Sequence, residues 1–276
     1  VNIQLVKNIL SIDLEDHYCD LPFSTWDAYE GRVIQTTKII LELLEKYRAS
    51  ATFFTLGYIA ERHPELIEEV RSKGHEIASH SYSHPDMRTL TRKTFEDDLS
   101  KSLNILSKLA GEKILGFRAP YFSIDRTNLW AFEVISERLR YDSSIFPVGP
   151  HYGMPNAPRH IYKTSASNPL SENPNGDFIE IPAATLRLPI IGNMPIGGGF
   201  HFRFLPLFLV RLGIKKMNDS GHAAMFYIHP EDLAPDRPRI PQYAWHYYYG
   251  LRNAFCKFES LLKTFRFTSA RDVLGL

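Results

Sequence analysis

The chain of 276 residues contains only two cysteines, Cys19 and Cys256. That is too few for a disulfide framework, and both read as free thiols. It has no run of about 18 apolar residues, so no transmembrane helix is expected. The N-terminus lacks the basic, apolar and small-residue order of a signal peptide, which makes a cytoplasmic location the default expectation. Net charge is also scarce: 32 Lys and Arg against 31 Asp and Glu leave +1. A broad nucleic-acid footprint is therefore not expected. There is no internal repeat and no low-complexity segment. What remains is ordinary for a globular protein able to bury a core, with 44% hydrophobic and 23% charged residues. Length and composition say nothing about oligomeric state.

The most informative feature present is the pair His80 and His84, in the run His80-Ser81-Tyr82-Ser83-His84-Pro85. Two imidazoles at this spacing can reach one divalent metal from a single short turn. Pro85 disfavours helical geometry at His84, so the turn should be irregular. A second polar cluster, Asp13, Glu15 and Asp16, follows the apolar run Ile9-Leu10-Ser11-Ile12. Carboxylates after one strand and imidazoles after another supply the oxygen and nitrogen ligands of an open catalytic site.

The segments between these clusters alternate regularly. Residues 7–13 read as a buried strand and 33–46 as an amphipathic helix. A strand at 51–56 precedes a helix that opens at Pro64 and stops at Gly74. A third strand, 76–79, runs directly into His80. Thr91 and Gly111 bracket a helix over 91–109. Strand and loop follow at 116–121, then a helix at 129–138 and a further connection from Tyr141. Such spacing predicts parallel βα units, whose functional groups sit at the carboxyl ends of strands. Asp13, Glu15, His80 and Arg118 all fall there.

From about 146 to 176 the texture changes, with Pro147, Pro150, Pro155, Pro158, Pro169 and Pro174 breaking regular structure. This reads as a surface insertion within one domain spanning 1–276. A strand resumes at 178–182. Helices are expected at 204–217 and 243–265, with a late strand at 223–228 ending at His229-Pro230. The run Gly197-Gly198-Gly199 reads as a flexible turn more than a substrate-facing flap. The aromatics Trp245, Tyr247, Tyr248 and Tyr249 read as packing of a terminal helix more than a sugar platform.

One metal on His80, His84 and a carboxylate from Glu15 or Asp16 would leave a position open for water. Asp13 would be free to act as general base, and His229 could protonate a leaving group. His17 and Cys19 lie beside the acids, and nothing in the sequence requires either as a ligand.

These motifs resemble the polysaccharide deacetylases of the NodB-homology type, carbohydrate esterase family 4. The matching runs are Ser11-Ile12-Asp13-Leu14-Glu15-Asp16, Ala51-Thr52-Phe53-Phe54, His80 to His84, Arg118-Ala119-Pro120-Tyr121-Phe122-Ser123, Ile179-Glu180-Ile181-Pro182 and Ile228-His229-Pro230. The branch with an Asp-x-Glu-Asp first motif is most similar. The resemblance implies an α/β fold, a distorted (β/α) barrel of about seven parallel strands. It also implies a divalent ion, zinc first, and removal of acetyl from N-acetylated sugars of a glycan. Under it Asp13 is the base, His80 and His84 are ligands, and His229 is the acid. Arg118 orients the base, the Tyr121 N–H helps hold the oxyanion, and Glu180 tunes the catalytic histidine. Because Leu14 separates the acids, the third ligand moves to Glu15, with Asp16 as its alternative. Relatives on the same barrel open cyclic imides or ureides, and a glycan-binding relative without catalysis is the third expectation.

Overall fold

The computed structural model describes residues 6–149 and 154–276, so Pro150 of the proline-rich stretch lies outside the described residues. Strand β1 (Lys7–Leu14) leads through a 3-10 turn into helix α1 (Val33–Tyr47). Next come β2 (Thr52–Thr55), α2 (Gly57–Arg62), α3 (Pro64–Ser72) and β3 (Glu76–Ser79). The third unit holds α4 (Arg92–Ala110), β4 (Gly116–Phe117), α5 (Trp130–Ser136) and β5 (Tyr141–Asp142). Two short strands, β6 (Tyr162–Thr164) and β7 (Phe178–Glu180), precede a hairpin of β8 (Thr185–Leu188) and β9 (Gly192–Pro195). The chain closes with α6 (Gly199–Phe204), α7 (Leu207–Asp219), β10 (Met225–Ile228), α8 (Leu251–Thr264), β11 (Arg266–Thr268) and α9 (Ala270–Leu274).

Seven strands run parallel in the order β10-β1-β2-β3-β4-β5-β7, as the sequence led one to expect. Strand β6 adds antiparallel to β7, and β11 pairs with the start of β1. No ladder joins β7 to β10. The gap is bridged by single hydrogen bonds from the chain after β7: Ala184 N–H to Met225 O (3.0 Å) and Gly198 N–H to Tyr227 O (2.8 Å). The barrel is distorted because its last staves are irregular chain and not strand.

Strand periodicity divides the core. In β1, Leu10, Ile12 and Leu14 face the helical layer, while Ile9 belongs to the inner cluster with Phe54, Tyr141 and Met225. Each fully buried Leu or Ile contributes roughly 1.5–3 kcal/mol. The same alternation aims Ser11 and Asp13 inward, where Arg118 meets both. Helix α4 begins and ends where its sequence signals lie: Thr91 caps it, and Gly111 leaves it at φ +68°.

Two expected helices are shorter. The stretch 204–217 splits at Leu205, which is extended, because Pro206 has no N–H and crowds the residue before it. Between 243 and 250 there is only a 3-10 turn, Trp245–Tyr247, and α8 starts after Gly250 at φ +77°. Within 146–176, Phe146, Val148 and Met154 are buried, so part of that stretch is interior. No helix among the described residues is long and apolar enough to cross a membrane.

Candidate active site

The carboxyl ends of β1, β3, β4 and β10 open onto one cleft of about 690 Å³. Strand β1 delivers Asp13, and the chain just beyond it delivers Glu15. Strand β3 delivers His80, and the following turn, with Ser81 at φ +70° and His84 at φ +56°, returns His84 to the same place. Ligand atoms of Glu15, His80 and His84 all lie within 4.8 Å of one another.

Backbone carbonyls orient both imidazoles. His80 Nδ1 is 2.8 Å from Arg118 O, and His84 Nδ1 is 3.1 Å from Cys19 O. A carbonyl only accepts, so each Nδ1 carries the proton and each Nε2 keeps a lone pair. Glu15 Oε2 stands 2.9 Å from His84 Nε2, yet this buried oxygen has no hydrogen-bond partner. Two acceptors facing each other in a dry site need a proton or a cation between them. Burial and neighbouring His84 push His80 down to about 3, leaving it neutral. Burial raises Glu15, but His84, His229 and His80 outweigh it and hold the carboxylate below its ordinary range. Burial lowers His84, but Glu15 outweighs it and raises its pKa, so the space between Nε2 and the carboxylate takes a proton or a cation. Two imidazoles and one carboxylate are a donor set that fits a divalent ion such as zinc.

Asp16 does not join this group. Its Oδ2 accepts from the N–H groups of Arg32 and Val33 at the start of α1 (2.7 and 2.9 Å). Its Oδ1 accepts from His17 N–H and Nδ1 (2.8 and 2.7 Å). The alternative ligand is thus a helix-end anchor, and His17 its partner. Cys19 is buried, with its sulfur accepting from Asp16 N–H at 3.3 Å.

Asp13 is buried against the fully buried Arg118, whose guanidinium donates to Asp13 Oδ1, to Ser11 Oγ (2.9 Å) and to Ser143 Oγ (2.9 Å). The Phe54 ring lies 4.1 Å beneath that guanidinium. These contacts orient Asp13 Oδ2 toward His229, whose Nε2 is 3.9 Å away and 3.3 Å from Glu15 Oε1. Tyr121, at φ +57°, lays its half-exposed ring 4.4 Å from that of His84. Non-glycine residues in this region cost roughly 1–2 kcal/mol, and such strain concentrates at functional sites.

The assignment of Glu180 needs correction. Glu180 is not the partner of His229. It sits on β7 beside Asp142, and its Oε1 accepts from Ile145 N–H at 3.0 Å. Burial and Asp142 push its pKa well up, while burial raises Asp142 to about 6. The two acids form a buried structural pair. His229 Nδ1 instead meets Asp232 Oδ2 at 3.0 Å, and Arg203 Nε donates to Asp232 Oδ1 at 2.9 Å. The missed signal was an acid three residues after His229, at the spacing of a capping box. The glycine run is also not a loose turn. A Cβ on Gly198 would fall 1.8 Å from the Tyr227 ring, and Gly199 starts α6.

Burial opposes charge on His229, but Asp232, Glu15 and Asp13 outweigh it and hold the imidazolium up to about 10. Asp232→Asn removes the foremost of these raising charges, so the His229 pKa falls. With His229 as the acid that the sequence leads one to expect, loss of its proton then begins at lower pH. The expected result is an alkaline limb of kcat displaced downward, with KM little changed. A pH–rate profile measures this, and an unmoved limb would remove Asp232 from the role.

Residues 21–134 match the sequence profile of the polysaccharide deacetylase family. Residues 143–275 match a family described as a domain of unknown function, DUF3473. A peptidoglycan-N-acetylglucosamine deacetylase of Bacillus cereus is 34% identical over 105 residues, 38% of this chain and 38% of that protein. A peptidoglycan deacetylase of Helicobacter pylori is 29% identical over 151 residues, 52% of this chain and 51% of that one. The chain thus spans about half the length, or less, of these curated relatives. A Mycobacterium smegmatis structure described as a polysaccharide deacetylase superposes with a TM-score of 0.62 at 20% identity, covering 97% of this chain and 88% of the other. At that identity it is the fold that is shared. His80, His84 and Arg118 fall in the first matched segment, whereas His229 and Asp232 fall in the second.

Proposed function

We propose that this chain, whose residues 21–134 match the polysaccharide deacetylase family, hydrolyses the acetamido group of an N-acetylated sugar in a glycan, with a divalent metal. The observation that carries the reading is the convergence of Glu15, His80 and His84 beside Asp13 and His229 in one cleft. Glu15, His80 and His84 would hold the ion, zinc first, which when bound activates water and polarises the acyl oxygen.

The remaining work falls to side chains of this chain. Asp13, its Oδ1 anchored by Arg118, takes a proton from the attacking water on Oδ2. Water adds to the acetyl carbonyl, and the Tyr121 N–H donates to the oxygen that becomes negative. His229, kept protonated by Asp232, gives its proton to the sugar nitrogen as the C–N bond breaks. The products are a free amine and acetic acid, which ionises to acetate, and the proton on Asp13 returns through solvent to His229. The Tyr121 ring forms one wall of the site, over His84.

Asp13→Asn tests the reading. Acetate release from N-acetylated chito-oligosaccharides is expected to fall by about 10²–10⁴ in kcat, while metal content stays that of the wild type. Ring opening of cyclic ureides with no acetate release would replace the deacetylase reading by an amidohydrolase one. Glycan affinity with no turnover in either protein would leave only a binding module.

A further inference from the structure

Beside the cleft lies a second cavity, of about 470 Å³, and its walls are cationic. Arg203, Arg237, Arg239, Arg252 and Lys257 line it, with Tyr248, and no carboxylate does. In a chain of net charge +1 this concentration is local and not a reflection of composition. Arg203 and Arg237 line both spaces, so cavity and cleft are neighbours across a shared wall.

The cations divide into a frame and a free set. Arg203 is held by Asp232 and by the Tyr247 carbonyl (3.1 Å), and Lys257 donates to the carbonyls of Arg203 and Leu205 (2.8 Å each) at the end of α6. Arg237 donates one nitrogen to His17 O at 3.2 Å, and its buried Nε has no hydrogen-bond partner. Arg239 lies over the Tyr248 ring at 4.0 Å, and neither it nor Arg252 makes an ion pair among the described residues. The acid of the same loop, Asp236, is turned away to Arg32 at 2.8 Å. Guanidiniums gathered without carboxylates repel one another, and a planar anionic group relieves that repulsion by accepting bidentate hydrogen bonds.

We propose that this cavity binds a negatively charged group, a carboxylate or a phosphoryl, carried by the same glycan whose acetamido group enters the cleft. The inference rests on the deacetylase reading and narrows its substrate to an acidic or phosphate-bearing glycan. Arg239 and Arg252 supply the adjustable contacts, while the buried Arg203 and the half-buried Lys257 set the floor of positive potential.

The test uses the metal-loaded full chain and three probes: a neutral N-acetylated chito-oligosaccharide, the same oligosaccharide bearing a glucuronate, and the same bearing a phosphate monoester. At least one charged probe should bind about tenfold more tightly than the neutral one, a difference of ~1.4 kcal/mol, and that advantage should shrink at high salt. R239Q/R252Q should erase the advantage and leave turnover of the neutral probe unchanged; R252Q alone should erase part of it. The charged probe that gains identifies the anion. Equal affinity of all three probes for the wild type would overturn the proposal, and so would a double variant that keeps the advantage. If no probe releases acetate but the charged ones still bind through Arg239 and Arg252, the anion site stands and the deacetylase reading falls.

Discussion

A His80→Ala protein is expected to retain no stoichiometric divalent ion and to release no measurable acetate. In the proposed site His80 offers its Nε2 as one of three ligands, and its Nδ1 is fixed by Arg118 O at 2.8 Å. Removing a group that only orients a ligand typically costs 10–100-fold in metal affinity or activity. Removing the ligand itself should therefore cost more than about 100-fold. The substitution also removes the partner of the Arg118 carbonyl, a loss of about 1–3 kcal/mol that the fold should survive, as a thermal melt would record. Metal analysis alongside acetate release gives the answer. One ion per chain in the variant, or turnover by thoroughly chelated wild-type protein, would reject the metal-dependent mechanism.

The second large effect falls on stability. Arg118→Met would leave the Asp13 carboxylate buried without the guanidinium that now sits between it and the rings of Phe54 and Tyr227 as its cation. Breaking a buried pair by removing one partner costs about 3–5 kcal/mol. A denaturant midpoint should fall accordingly, and activity should vanish even where the variant folds, because Asp13 loses its orientation. The double variant R118M/D13N should recover part of the stability and none of the activity, since no charge is then stranded. A single variant as stable as the wild type would show that Arg118 is not the counter-ion of Asp13.

Local chemistry made much of this molecule readable. The His pair was visible because a metal needs two donors on one short turn, and the acids because they follow an apolar strand. Parallel topology was readable from the alternation of strand and helix signals, and α4 from its cap at Thr91 and its stop at Gly111. The breaks at Pro206 and Gly250 were readable too, because a missing N–H and a left-handed φ act on the nearest residues; the expected helices simply ran past them.

Partner choice was different. Glu15 and Asp16 are equivalent in sequence, and they part only because the start of α1 reaches Asp16 with two N–H groups from residues 32 and 33. Glu180 was the acid expected beside His229 and Asp232 was passed over, yet Glu180 is paired to Asp142 and Asp232 to the imidazole. Residue types, their spacing and strand periodicity therefore placed the candidate groups at particular strand ends, and the family resemblance supplied the chemistry expected of them. Only tertiary packing decided which acid meets which base, because a buried charge selects its partner by distance across the fold, and that distance is set by contacts between residues far apart in the chain.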